Sequence, residues 1–248
     1  MKTKLKILTA LTGIVFSLSL LGQASNPPLT ISHLTGDFYV YTTYRMLSGM
    51  PYPSNSMYLI TDKGVVMFDT PWDTTQFQPL LDSIEKRHQK KVIMCIATHF
   101  HNDRTAGLAF LKLKGVKTYS SKLTYNLCKE RNEKQSEYYF VRDTTFTVGN
   151  YSFQTYYPGE GHTKDNIVIW FDKDKILYGG CLVKSTESNG LGNIEDANIP
   201  AWSTTIVNVM DKFPKPKYVI PGHLGWADNK GLQHTLQLLR QYSRQNKH

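Results

Sequence analysis

Seven consecutive residues, Thr98-His99-Phe100-His101-Asn102-Asp103-Arg104, carry three side chains able to bind a divalent metal: His99, His101 and Asp103. Imidazole and carboxylate are donors suited to zinc, and a turn leaving a strand can aim side chains at i, i+2 and i+4 into one pocket. An isolated pair of histidines would read as exposed loop, with Asp103 merely capping the next helix. Three further candidates argue against that: His162, Cys181 and His223, in Gly161-His162-Thr163, Gly180-Cys181-Leu182 and Pro221-Gly222-His223. Each has a glycine beside it, which lets the backbone turn sharply and lets a ligand approach closely. Six donors are enough for two metals. The other four histidines, His33, His88, His234 and His248, lack such flanks and read as surface residues.

Positioning these donors requires strands that end where they stand. Residues 29–32, 38–44, 56–61 and 65–68 are rich in Val, Ile, Tyr and Thr and are punctuated by Thr35-Gly36-Asp37 and Asp62-Lys63-Gly64, the pattern of an antiparallel meander. Residues 73–88 place Phe77, Leu80, Leu81 and Ile84 on one helical face, with Asp73 as N-cap. A buried strand over 92–97 then leads into the His-rich turn, followed by a helix over 105–113, a short strand over 117–119 and a helix over 122–131. Residues 144–148, 152–157, 167–171, 176–178 and 218–220 read as strands, and 204–213 and 231–244 as helices. Two β-rich halves, each with helices, predict an α/β fold: an αββα sandwich of two mixed β-sheets flanked by helices.

Taken in order, His99-x-His101-x-Asp103, Gly161-His162-Thr163-x-Asp165-Asn166, Gly180-Cys181-x-x-Lys184, Gly192-Asn193-x-x-Asp196-Ala197 and Pro221-Gly222-His223 resemble the subclass B1 metallo-β-lactamases. The first motif alone marks the wider superfamily; Cys181 and Arg104 are the specific pieces. The resemblance covers nearly all of the chain from about Leu29 to the last helix. It implies a tri-histidine zinc site of His99, His101 and His162 and a second zinc site of Asp103, Cys181 and His223. A hydroxide between the two zincs would attack the amide of the β-lactam ring of penicillins, cephalosporins and carbapenems, conferring antibiotic resistance. Asp103 would orient that hydroxide and relay a proton, Lys184 would bind the substrate carboxylate, and Asn193 would donate to the lactam carbonyl. The apolar segment over 44–53 joins two strands and reads as a loop forming a flap through Met46, Leu47, Met50 and Tyr52. Asp69 reads as a residue holding the ligands or Arg104 in place. Two departures from the family pattern stand out: Ala106, and Leu224 directly after His223, both at positions where glycine is usual.

Composition limits the alternatives. The chain has 248 residues, 40% hydrophobic and 20% charged, enough to bury a core in one domain and too apolar for disorder. Lys2, Lys4 and Lys6 precede an apolar run over 7–21 that ends in Gly22-Gln23-Ala24, the layout of a secretory signal peptide over residues 1–24. The lactamase-like domain would then span 25–248 and act in the periplasm as a monomer, free of the membrane once the leader is cleaved. The leader carries three lysines and no acid, so the net charge of +9 falls to +6 for the remainder. Its scattered basic residues form no nucleic-acid stripe, so the expected partner is a small-molecule β-lactam. With three cysteines the exported chain cannot pair them all; Cys95 and Cys128 read as buried, and their pairing is open. Two other readings fit the same six donors: a di-zinc hydrolase of a lactone, thioester or phosphodiester, and a non-catalytic zinc-binding protein.

Overall fold

The computed structural model describes residues 27–246; the leader expected over 1–24 lies outside the described residues. Seven strands form one sheet in sequential order: β1 (Thr30–Thr35), β2 (Phe38–Leu47), β3 (Met50–Ile60), β4 (Val65–Phe68), β5 (Val92–Ala97), β6 (Lys117–Ser121) and β7 (Tyr138–Phe140). The first four are antiparallel, and β4 to β7 are parallel. The second sheet runs β12-β11-β10-β9-β8, from β8 (Thr144–Val148), β9 (Tyr151–Tyr156), β10 (Val168–Phe171), β11 (Ile176–Gly180) and β12 (Tyr218–Pro221), with only β11 and β12 parallel.

Side-chain alternation along the strands builds three apolar layers. In β10, Ile169 and Phe171 face inward onto Phe38, Met57, Phe68 and Ile96 of the first sheet. Val168 and Trp170 face outward onto α5 (Ile199–Lys212) and α6 (Gly231–Gln245), where Trp202, Ile206 and Leu238 pack. On the far side of the first sheet, Met67 and Cys95 meet Leu80 and Ile84 of α1 (Phe77–His88) and Leu108 and Leu111 of α3 (Leu108–Leu113). The inner layer is closed by edge-to-face rings, Phe68 against Phe153 at 5.1 Å and against Phe171 at 5.2 Å. Truncating one such buried ring to alanine costs about 3–5 kcal/mol. The αββα sandwich expected from the sequence is therefore present.

Several elements depart from expectation for local reasons. The segment over 44–53 is not a loop: β2 and β3 stay paired out to Leu47 and Met50, and Ser48 and Gly49, at φ 49° and 79°, make a two-residue turn. The helix expected over 105–113 is two helices, α2 (Asn102–Thr105) and α3, because the Gly107 N–H leaves the helical ladder and donates to Thr70 Oγ1 at 3.0 Å. Asp73 caps a single 3₁₀ turn, Thr74–Gln76, and α1 begins only at Phe77. α5 starts five residues before the expected position, capped by the Asn198 side chain on the Ala201 N–H. β7 is an unexpected three-residue edge strand. All three cysteines are free and buried.

Candidate active site

Every expected metal ligand lies in a segment that follows a strand. β5 runs into the turn and short helix bearing His99, His101 and Asp103; His162 lies in the connection from β9 to β10; Cys181 follows β11 and His223 follows β12. Backbone bonds lock these ends together. The Ile167 N–H donates to Thr98 O at 3.0 Å, Gly222 N–H to Gly180 O at 2.8 Å, and Asn55 N–H to Gly222 O at 2.8 Å, the last joining the two sheets. Gly222 is required here, since a Cβ would sit 2.7 Å from both Cys181 Sγ and the Arg104 guanidinium.

The six side chains meet at the floor of one cleft. The rings of His99, His101 and His162 lie pairwise 5.0, 5.1 and 5.0 Å apart. Next to them, Cys181 Sγ is 3.2 Å from His223 Nε2 and 3.3 Å from Asp103 Oδ2, and those two atoms are 3.2 Å from each other. Tetrahedral zinc with bonds of about 2.0–2.3 Å sets its ligand atoms about 3.3–3.6 Å apart, so this trio is close to ready-made. His99 Nε2 and His162 Nδ1 are buried without a hydrogen-bond partner, an arrangement that costs free energy unless something else engages the rings. Donor chemistry, spacing and orphaned nitrogens all fit a metal.

Electrostatics favour the ligand-competent protonation states. Burial lowers the pKa of His99, His162 and His223, keeping these imidazoles neutral with a lone pair to offer. Burial opposes ionisation of Asp103, but Arg104 and His223 outweigh it and hold the carboxyl well below the usual range. Burial pushes the Cys181 thiol up, against Arg104, so binding a metal there displaces a proton.

Arg104 is the buried cation that organises this end of the sandwich. Its Nη1 donates to Asn55 O at 2.7 Å and Tyr178 Oη at 3.2 Å; its Nη2 donates to Gly222 O at 2.8 Å and Cys181 Sγ at 3.0 Å. Nε approaches Asp103 Oδ2 at 2.9 Å as an ion pair, but off the N–H direction, so it makes no hydrogen bond. Asp69 lies 3.6 Å from Nη1 and accepts from Thr98 N–H at 2.6 Å and Tyr178 Oη at 2.6 Å, tying Arg104 to the root of the His-rich turn. Burial raises the Asp69 pKa to about 6.

Above the floor is a cavity of about 680 Å³ walled by Leu47, Tyr52, Trp72, Glu133, Lys184 and Asn193 among others. The β2–β3 ribbon overhangs it: Tyr52 sits 5.2 Å from the His223 ring, and Pro53 O accepts from His223 Nδ1 at 2.8 Å, turning Nε2 toward Cys181. Leu47 lines the cavity, whereas Met50 is 70% exposed at the tip. Lys184 is buried, its ammonium 5.2 Å from the Trp202 ring centre, and it borders a side pocket of about 170 Å³ with Tyr52, Ser188 and Leu224. Asn193 is exposed and lines the same cavity; its carbonyl oxygen accepts from Glu195 N–H at 3.1 Å, which leaves the amide nitrogen for a ligand.

The sequence profile of the metallo-beta-lactamase superfamily matches residues 49–223, most of the chain and all six donors. The chain belongs to the metallo-beta-lactamase superfamily. It is 44% identical to a metallo-beta-lactamase type 2 of Elizabethkingia meningoseptica over 100% of this chain and 97% of that one. It is 41% identical to metallo-beta-lactamase IND-1 of Chryseobacterium indologenes, covering 83% of this chain and 86% of the relative. Among solved structures, a metallo-beta-lactamase from Pontibacter korlensis superposes with a TM-score of 0.83 at 35% identity, over 86% of this chain and 99% of that one. Metallo-beta-lactamase IND-7 gives 0.83 at 40% identity, over 86% and 98%.

Against the metallo-β-lactamase pattern, the two departures behave differently. Ala106 takes ordinary right-handed backbone, φ −52°, and needs no glycine. Leu224 adopts φ 62°, a region bulky residues avoid, held by the Asn55 amide donating to its carbonyl at 2.7 Å. Reasoning on ligand motifs missed Asn55, Tyr178 and Asp196. Asp196 Oδ2 lies 3.0 Å from His101 Nε2, and only its place in Gly192-Asn193-x-x-Asp196 could have pointed to it.

Proposed function

We propose that the chain is a zinc-dependent β-lactamase holding two Zn²⁺ ions and acting in the periplasm after removal of residues 1–24. It opens the β-lactam ring of penicillins, cephalosporins and carbapenems, and so confers antibiotic resistance. The observation that carries this reading is the trio Asp103, Cys181 and His223 packed against His99, His101 and His162, beneath a cavity walled by Lys184 and Asn193. The three histidines would hold one ion and the trio the other. When bound, such ions supply Lewis acidity, and a water nucleophile with a pKa near about 7.

The protein's own groups account for the rest. Lys184, three residues after the thiolate ligand and lining the cleft, binds the carboxylate that β-lactams carry. Asn193 donates its amide N–H to the lactam carbonyl oxygen as negative charge develops there. Asp103, anionic under the field of Arg104, orients the attacking water and passes its proton towards the ring nitrogen. A bond forms from water oxygen to carbonyl carbon, the ring C–N bond breaks, and the nitrogen ends protonated. The Tyr52-bearing ribbon covers the bound substrate and reduces access of bulk water.

The test follows the absorbance of a carbapenem with the zinc-loaded protein, after chelation, and with Cys181→Ser. Hydrolysis that chelation abolishes and Cys181→Ser reduces at least about a hundredfold supports the proposal. Hydrolysis indifferent to both would refute it.

A further inference from the structure

Arg131 lies outside the metal-ligand motifs, yet the fold carries it to the metal-ligand cluster. It caps the C-terminus of α4 (Lys122–Glu130), its N–H donating to Leu127 O at 2.8 Å. From there the half-exposed guanidinium spreads over the Phe100 ring at 5.7 Å, and that ring meets the His101 ring at 4.5 Å. Arg131 Nη2 donates to Asp196 Oδ1 at 3.0 Å, while the other oxygen of the same carboxylate faces His101 Nε2 at 3.0 Å. A carboxylate only accepts, so Nε2 carries the ring proton and the lone pair sits on Nδ1. Nδ1 points into the cluster, 3.2 Å from His162 Nε2.

Asp196 sits in a segment without regular structure between β11 and α5. A carboxylate held by one oxygen can swing about that bond; held by both, it is fixed in plane. Arg131 therefore ties Asp196 to the end of α4, and through it sets the tautomer and direction of His101.

We propose that Arg131 is a positioning residue for the metal centre, acting through Asp196 to pre-orient His101 and strengthen zinc binding. This rests on the zinc reading given above. Carboxylates bonded directly to a metal-binding histidine are worth about 10–100-fold in metal affinity. Arg131 acts one bond further out and is half exposed, so its removal should weaken zinc binding about 3–10-fold.

The test measures zinc dissociation constants by competition with a chromophoric chelator. Samples are the wild-type protein, Arg131→Met, Arg131→Lys, Asp196→Asn and the Arg131→Met/Asp196→Asn double variant. Urea unfolding of each metal-free variant checks that it is folded. Methionine keeps the apolar contact with Phe100 and lacks a donor; lysine restores a cation. The expected result is a 3–10-fold loss in Arg131→Met, recovery of most of it in Arg131→Lys, and no added loss when Arg131→Met is placed on Asp196→Asn. A merely structural role would lower unfolding midpoints and add equally in both backgrounds. Undiminished zinc affinity in Arg131→Met, or the same loss in both backgrounds, overturns the proposal while the zinc reading stands. A wild-type protein that binds no zinc overturns both.

Discussion

Replacing Arg104 with methionine isolates the buried charge on which the ligand geometry depends. Methionine fills much of the same space but leaves Asn55 O, Gly222 O and Cys181 Sγ without the donor now 2.7, 2.8 and 3.0 Å away. It also leaves Asp103 and Asp69 buried without their cation. Removing one partner of a buried pair costs about 3–5 kcal/mol; the two carbonyls keep the Asn55 N–H and the Tyr178 hydroxyl as donors and add less. These losses overlap, so the expected total is about 3–5 kcal/mol in the metal-free protein at pH 7.5, a large part of the stability of an ordinary domain. The assay is urea unfolding by far-UV circular dichroism at pH 5 and pH 7.5. Folding raises the Asp69 pKa to about 6, so between roughly pH 4 and pH 6 the folded protein keeps a proton that the unfolded chain releases. Stability from this group therefore falls as pH rises through that window and is constant above it. Without Arg104 the pKa climbs further and the window extends upward, so the variant should lose more at pH 7.5 than at pH 5. A loss below about 1 kcal/mol at both pH values would refute the argument that Arg104 neutralises this end of the sandwich.

Three further outcomes follow from the same structure. Asp165 is fully buried, finds no well-aligned hydrogen bond, and has its pKa raised by burial to about 6 against the pull of neighbouring Thr124 and Thr163. Asp165→Asn should stabilise the metal-free protein by about 1–3 kcal/mol at pH 8 and by no more than about 1 kcal/mol at pH 4.5, where the folded carboxyl is neutral and only the unfolded one has ionised; urea midpoints at the two pH values check this. Leu224→Gly removes a left-handed strain of about 1–2 kcal/mol but adds the chain entropy of glycine, about 0.5–1 kcal/mol, for a net gain near 0.5 kcal/mol by thermal unfolding. Lys184→Met should raise KM for a penicillin about tenfold with a smaller change in kcat if, as proposed, the ammonium binds a carboxylate that the reaction leaves untouched.

The site was legible where chemistry is concentrated in short motifs. His99, His101 and Asp103 announced themselves by spacing, and glycines beside His162, Cys181 and His223 marked the strand ends that converge. The sandwich was legible through alternation, as in β10, whose odd and even residues face different layers. Tertiary contacts were not. Gly107 breaks a helix because Thr70, thirty-seven residues earlier, takes its N–H, and no local pattern encodes that. The flap segment misled through its apolar composition, although Ser48-Gly49 is an adequate two-residue turn and the residues around it keep β pairing. Asp196 meets His101, and Arg131 meets Asp196, from separate parts of the chain, so these contacts emerge only when the fold closes.

The most direct test of the central claim is a zinc titration of the metal-free protein. Native mass spectrometry counts bound ions, and the ring-opening rate of a penicillin, a cephalosporin and a carbapenem is read on the same samples. Two ions per chain, with hydrolysis rising as they bind, is the predicted result. Two bound ions with no ring opening of any of the three would contradict the account.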